Sequence, residues 1–350
     1  MSKTNPGNFF EDFSLGQKIV HATPRTLTEG DAALYIALTG TRFAVQSADT
    51  FAMDIGYPSA PLDDVLVFHM VFGKTVPDIS LNAVANLGYA NCRFITPVFP
   101  GDTLQTTSEV IGLRELSNGK AGVVYVRSIG TNQTGETVLD YVRWVMVSKR
   151  DASASAPEPR VPELPDRVSP VELARGVPEI PPGTYDRALA GASHLWGDYE
   201  PGEKIDHVDG MTIEEAEHQI ATRLYQNTAK VHFNAHLQAD SRFGKRLMYG
   251  GHVISIARAL SFNGLANAFH VAAINGGSHV APCFAGDTVY AWSEILEREE
   301  IPGRADIGAL RARTVAVKDM EASSFPYKTE DDAYAAGVIL DLDCWLVLPR

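Results

Sequence analysis

The chain repeats itself. Phe99-Pro100-Gly101-Asp102-Thr103 returns 185 residues later as Phe284-Ala285-Gly286-Asp287-Thr288. Upstream, EDFSLGQKIVH (11–21) is answered by GDYEPGEKIDH (197–207) at an offset of 186, with Gly16/Gly202, Lys18/Lys204 and His21/His207 in register. The offset holds at Thr26/Thr212, Glu29/Glu215 and Leu38/Leu224. Near the two ends, LDYVRWVMV (139–147) is answered by LDLDCWLVL (340–348), now 201 apart. The second half therefore carries an insertion of about sixteen residues, placed here within 318–337. Solenoid repeats have periods of roughly 20–50 residues. A repeat this long is a duplicated domain, whose copies are expected to pair across a pseudo-two-fold axis as a homodimer pairs across a true one.

Size agrees with duplication. A chain of 350 residues holds two domains at roughly 150 residues each. With 45% hydrophobic and 21% charged residues, each half has an ordinary globular composition and enough apolar material for a core. The formal charge of −13 argues against nucleic-acid binding through a basic surface. Cys92, Cys283 and Cys344 are widely spaced within apolar stretches. That reads as buried free thiols in a reducing compartment, with no Cys-x-x-Cys spacing for zinc or redox work. The N-terminus lacks an apolar signal core, and no run approaches the ~18 apolar residues of a membrane span. A soluble cytoplasmic protein with no membrane partner is the expectation.

Pro, Ala and Ser crowd residues 152–170, so 151–189 reads as a linker that resists packing. It separates an N-terminal domain (8–150) from a C-terminal one (190–350). Each half reads as helix, helix, then about four antiparallel strands. The first helices are 28–40 and 212–226. Thr212 with Glu215 has capping-box spacing. The second helices, 63–76 and 251–266, carry apolar residues at helical spacing. The segments after them are rich in β-branched and aromatic residues. One helix wrapped by a sheet is an α+β architecture.

The Pro-x-Phe-x-Gly-Asp-Thr turn occurs at Pro97–Thr103 and again at Pro282–Thr288. With a central apolar helix before it and strands around it, the pattern resembles the hot-dog fold. More narrowly, the chain resembles the MaoC-like, R-specific enoyl-CoA hydratases of double hot-dog type, and within them the mesaconyl-CoA (2-methylfumaryl-CoA) hydratases. The resemblance implies two tandem hot-dog domains. It implies reversible addition of water across a short, branched, dicarboxylic enoyl-CoA, such as mesaconyl-CoA to β-methylmalyl-CoA. It implies no cofactor beyond the CoA of the substrate, no metal and no nucleic acid. The pseudo-dimer lies within the chain, and further self-association stays open.

The family's motif, roughly Gly-Asp-x-Asn-Pro-aliphatic-His, follows the first helix. The second half reads YQNTAKVH (225–232) in that slot, with Asn227 where the Asp is usual and His232 kept. The first half has Thr41 and Gln46 at the same two places, 186 residues earlier. Hydration needs a group that both takes and returns a proton. Histidine does this near neutral pH, and threonine and glutamine do not. The catalytic half is therefore expected to be the second, with His232 handling protons and Asn227 positioning water. Asn227 accepts and donates hydrogen bonds but is no base; Glu217 and Asp240 are the substitute acids considered.

An enoyl thioester gaining water builds negative charge on its carbonyl oxygen. Gly250 and Gly251 open the second helix of that half, where backbone N–H groups would stabilise it. Asp63 and Asp64 hold the matching place in the first half and would repel an enolate. Cations near the motifs are Arg42, Lys230, Arg242, Lys245 and Arg246, expected to supply contacts to CoA phosphates or the substrate carboxylate. His232 and His236 stand four apart but lack the glutamate of a zinc-protease motif. Two other readings stay open: a hot-dog thioesterase and a non-catalytic acyl-CoA binder.

Overall fold

A computed structural model describes residues 3–350. One antiparallel sheet runs through the molecule. Its order is Lys18–Val20, Thr103–Glu115, Ala121–Thr131, Thr137–Ser148 and Ala83–Phe94, then His270–His279, Val338–Pro349, Ile307–Lys318, Thr288–Glu300 and Lys204–Thr212. The order is palindromic about the seam between Ala83–Phe94 and His270–His279, where Tyr89 pairs with Gly277 and Cys92 with Ile274. This is the geometry of two copies docked edge to edge. The arrangement is the double hot-dog, α+β architecture that the resemblance implied.

Each half wraps its sheet around one helix. Asp64–Thr75 packs on Thr103–Glu115, Ala121–Thr131 and Thr137–Ser148, and Gly250–Leu260 on the matching second-half strands. Every residue from Val65 to Thr75 and from Gly251 to Leu260 is buried. A helix buried on all sides belongs in a core rather than on a surface, and its few polar side chains find partners there. The two core helices meet through His69 Nε2 and Ser255 Oγ, 2.8 Å apart and 186 residues apart in sequence.

The repeated letters are largely scaffold. Gly101 and Gly286 sit at φ 104° and 96°, a conformation open to glycine. Asp102 and Asp287 accept from the Phe99 and Phe284 amides at 2.8 and 3.0 Å and so close the turn. His21 bonds Ser108 and Asp78, and His207 bonds Ser293 and the Asn263 carbonyl. These echoing histidines are satisfied core groups. The insertion lies between Ile307–Lys318 and Val338–Pro349, whose first-half counterparts are joined by five residues, 132–136.

Two expectations change. Thr212 is not a helix cap. It ends a strand and bonds Thr288 at 2.8 Å, and the helix Glu215–Leu224 is capped by Glu214, whose amide donates to Glu217. Residues 151–189 also do not resist packing. Val168, Leu173, Val177 and Ile180 are buried in one cluster with Phe51, Phe269 and Trp345. Singly spaced apolar residues hold a proline-rich segment down when each burial contributes roughly 1.5–3 kcal/mol. All three cysteines are buried and free. Among the described residues no helix is long and apolar enough to cross a membrane.

Candidate active site

A cavity of about 570 Å³ is walled by both halves. The first half contributes Phe72, Asn86, Tyr89 and Arg143, and the second contributes Asn227, His232, Tyr249, Gly250 and His279. No Asp or Glu lines it among the described residues. Glu217 is engaged elsewhere, on His252 Nε2 at 2.9 Å, and Asp240 is exposed. Neither takes the place of the absent motif carboxylate.

Local structure delivers the motif to this wall. The helix Glu215–Leu224 ends, and the chain turns at Asn227, whose Oδ1 accepts from the Ala229 amide at 3.1 Å. That is an Asx turn. A single helical turn, Lys230–Phe233, then carries His232. The His232 Nδ1–H donates to the Leu247 carbonyl at 2.8 Å. A carbonyl only accepts, so the proton is on Nδ1 and Nε2 keeps its lone pair. Nε2 makes no hydrogen bond to protein among the described residues. Asn227 is 2% exposed. His232 keeps part of its surface open, and that surface faces the cavity.

A second imidazole shares the wall. His279 Nε2 and the Tyr89 hydroxyl are hydrogen-bonded at 3.1 Å across the seam between the halves. Burial pulls His232 down to about 4, against the Leu247 carbonyl that favours the protonated ring. Burial, then the neighbouring His232 charge, pulls His279 down to about 4. Both rings are neutral at physiological pH, where a free histidine, titrating near about 6.5, is partly charged. A base must be unprotonated to act. The kcat/KM for hydration is therefore expected to stay level from pH 8 to about 5 and to fall only as pH approaches 4. A pH–rate profile whose acid limb sits between 6 and 7 would remove His232 from the role.

The two glycines answer first to their neighbours. A Cβ on Gly250 would lie 2.5 Å from His279 Nδ1, and one on Gly251 would lie 2.4 Å from Cζ of Tyr249. Gly250 lines the cavity at the helix N-terminus, where amides lack intrahelical partners. Gly251 is buried behind it and does not line the cavity.

The matching place in the first half is nearly closed, with a volume of about 20 Å³. Its wall includes Gln46, Asp64 and Phe94, the counterparts of His232, Gly250 and His279 at offsets of 185 to 186. Gln46 donates to the Phe269 carbonyl at 2.8 Å. Asp64 accepts from the Val271 amide at 2.8 Å and His270 Nδ1 at 3.0 Å. These side chains tie the first half to the second.

Of the cations expected at the site, only Lys230 lines the cavity. Arg242 and Lys245 are exposed on Phe243 and Phe284, and Phe243 is a wall residue. Arg246 is paired with Glu215, whose position 31 residues upstream sequence proximity did not suggest. Arg42 lies over Phe262 at 4.6 Å, away from the cavity. Tyr89, Arg143, Tyr249 and His279 were not anticipated. No group of three or more His, Cys, Asp or Glu among the described residues is arranged to hold a metal ion.

Comparison with known proteins accords with this geometry. A family model described as mesaconyl-CoA hydratase matches residues 2–329. A Chloroflexus aurantiacus protein named beta-methylmalyl-CoA dehydratase is 63% identical, over 100% of this chain and 99% of its own. A Cereibacter sphaeroides protein named mesaconyl-CoA hydratase is 59% identical, over 99% of this chain and 100% of its own. A crystal structure of a MaoC domain protein dehydratase from C. aurantiacus superposes with a TM-score of 0.98 at 62% identity, over 100% and 99% of the two chains. A Mycobacterium tuberculosis protein described as a double hotdog fold gives 0.71 at 25% identity, over 99% of each. Matched along its whole length by such relatives, the chain belongs to the mesaconyl-CoA hydratase family, within the MaoC-like double hot-dog proteins.

Proposed function

We propose that this protein reversibly hydrates mesaconyl-CoA to β-methylmalyl-CoA at the second-half cavity, with His232 as the proton carrier. The observation that carries the assignment of roles is the neutral Nε2 of His232, without a hydrogen-bond partner, on a wall where no Asp or Glu is found among the described residues. Water oxygen attacks the β-carbon while Nε2 takes one of its protons. The π electrons move onto the thioester oxygen, which the Gly250 amide stabilises. The enolate then collapses, and the imidazolium returns the proton to the α-carbon. One water is added and nothing is oxidised or reduced. A depressed pKa suits this sequence: the imidazolium that forms is a strong acid toward the enolate. Asn227 orients the water. Lys230, Arg242 and Lys245, exposed around the 230–247 segment, face the CoA phosphates. The chain's own side chains and the Gly250 backbone amide carry each step, with CoA entering as part of the substrate.

That no Asp or Glu among the described residues lines the cavity disfavours a thioesterase that works through Asp or Glu. The test follows enoyl-thioester absorbance on mesaconyl-, crotonyl- and longer enoyl-CoAs, with products weighed by mass spectrometry. The expected result is gain of one water on mesaconyl-CoA. Release of free CoA instead would mean thioester hydrolysis, and tight binding without turnover would mean a binding protein.

A further inference from the structure

Two cations line the cavity, and their settings differ. Lys230 is exposed, whereas Arg143 is fully buried. Arg143 points inward from Thr137–Ser148 and lies over the Phe72 ring, with Cζ 4.3 Å from its centroid. Its Nη2 donates to Thr75 Oγ1 at 2.8 Å and Ser80 Oγ at 3.3 Å. Its Nη1 reaches Asn86 Oδ1 only at 3.5 Å. Arg143 Nε and Asn86 Nδ2 have no acceptor. Among the described residues no carboxylate is paired with Arg143, and burial holds the neighbouring phenols of Tyr89, Tyr141 and Tyr249 in their neutral form. Arg258, the other arginine at comparable depth, faces Asp63.

A buried charge without a counter-ion is strongly unfavourable, and buried donors ordinarily find acceptors. Here two donor groups, both on residues that line the cavity, lack them. Duplication does not explain the arginine either, since its counterpart at an offset of 201 is Cys344. An anion would satisfy both donors and the charge.

We propose that Arg143, with Asn86, receives the free carboxylate of a dicarboxylic enoyl-CoA and so sets the substrate preference. The proposal rests on the hydratase reading above. The substrate has two anionic ends, the CoA phosphates and the acyl carboxylate. CoA lies toward solvent with Lys230, and the carboxylate lies deep with Arg143. On binding, the carboxylate accepts from the two donors that lack partners, Arg143 Nε and Asn86 Nδ2. A guanidinium fork matches a carboxylate in shape as well as charge.

The experiment compares mesaconyl-CoA with 2-methylcrotonyl-CoA, in which a methyl replaces the carboxylate. Wild type is expected to favour mesaconyl-CoA in kcat/KM by on the order of 100-fold or more, because a site built for a polar group rejects the analogue lacking it. In Arg143→Met that preference should collapse to within about threefold, through loss on mesaconyl-CoA with little change on the neutral analogue. Arg143→Lys should fall between, since it keeps the charge without the fork. Equal loss on both substrates would overturn the proposal in favour of a purely structural arginine. If Arg143→Met does not fold, the wild-type ratio decides: a ratio near one overturns the proposal while leaving hydration intact. Failure of wild type to hydrate either thioester would overturn the hydratase reading, and this one with it.

Discussion

Replacing His232 by glutamine is expected to lower kcat for hydration by about 10²–10⁴, the usual worth of a positioned proton carrier, with little change in KM. The chain already contains this substitution, because Gln46 occupies the counterpart position in a half whose cavity has shrunk to about 20 Å³. Glutamine holds hydrogen bonds without titrating, and Gln46 does so with the Phe269 carbonyl. His232→Gln therefore keeps a donor for the Leu247 carbonyl and removes only the proton chemistry. Its melting temperature should stay within a few degrees of wild type, and thioester binding should survive. Steady-state kinetics beside calorimetry would check both halves of the claim. Retention of more than about a tenth of wild-type kcat would move the role elsewhere, first to His279. That ring shares the wall and is held by Tyr89.

Duplication was legible because turn chemistry is local. A glycine at positive φ and an aspartate closing on an amide three residues back leave a short spelled motif, and the chain spells it twice. Asn227 and His232 were legible for a similar reason: one Asx turn and one helical turn bring them to the same wall. The other wall residues come from strands, where sequence shows alternation but not depth. Arg143 sits within LDYVRWVMV two residues from Tyr141 and two from Val145, all three buried. A cation on the inward face of a strand, replaced by cysteine in the second copy, was the available signal. His279 gave less, since its role depends on Tyr89 from the far side of the seam.

Proximity in sequence misled where long side chains were concerned. Arg246 lies near the motif in an irregular stretch but is taken by Glu215, at the start of the helix before it. Arg42 follows the first-half motif glycine and rests on Phe262 of the second half. Long side chains reach for partners that tertiary structure supplies. Composition misled in the linker, where prolines shape the path and four separated apolar residues decide that it packs.

The largest structural effect is expected from Gly73→Ala, in the half that lacks the motif. Gly73 lies inside the first core helix, where glycine is unfavourable by about 1 kcal/mol against alanine. A Cβ there would lie 1.8 Å from the Tyr225 carbonyl oxygen and 3.0 Å from its carbonyl carbon. Both atoms are backbone, so no rotamer relieves the clash. The helix itself accepts a methyl at this level, since the counterpart in the second core helix is Ala259. What forbids it is the chain crossing at Tyr225-Gln226, pressed onto the helix just before Asn227. Gln226 adopts φ 53° there, a left-handed conformation for a residue with a side chain, and its Oε1 accepts from Lys74 beside Gly73. The first half thus fixes the height of the segment that carries the second half's motif. Gly73→Ala is expected to destabilise the protein by about 1–3 kcal/mol through overpacking. It should also cut kcat by at least about 10²-fold, because a shift of about 1 Å at a reacting centre has that effect. Denaturant melts and single-turnover kinetics on the folded variant separate the two losses. Full activity in a destabilised Gly73→Ala would show that Asn227 tolerates displacement and that its contribution to the site is not positional.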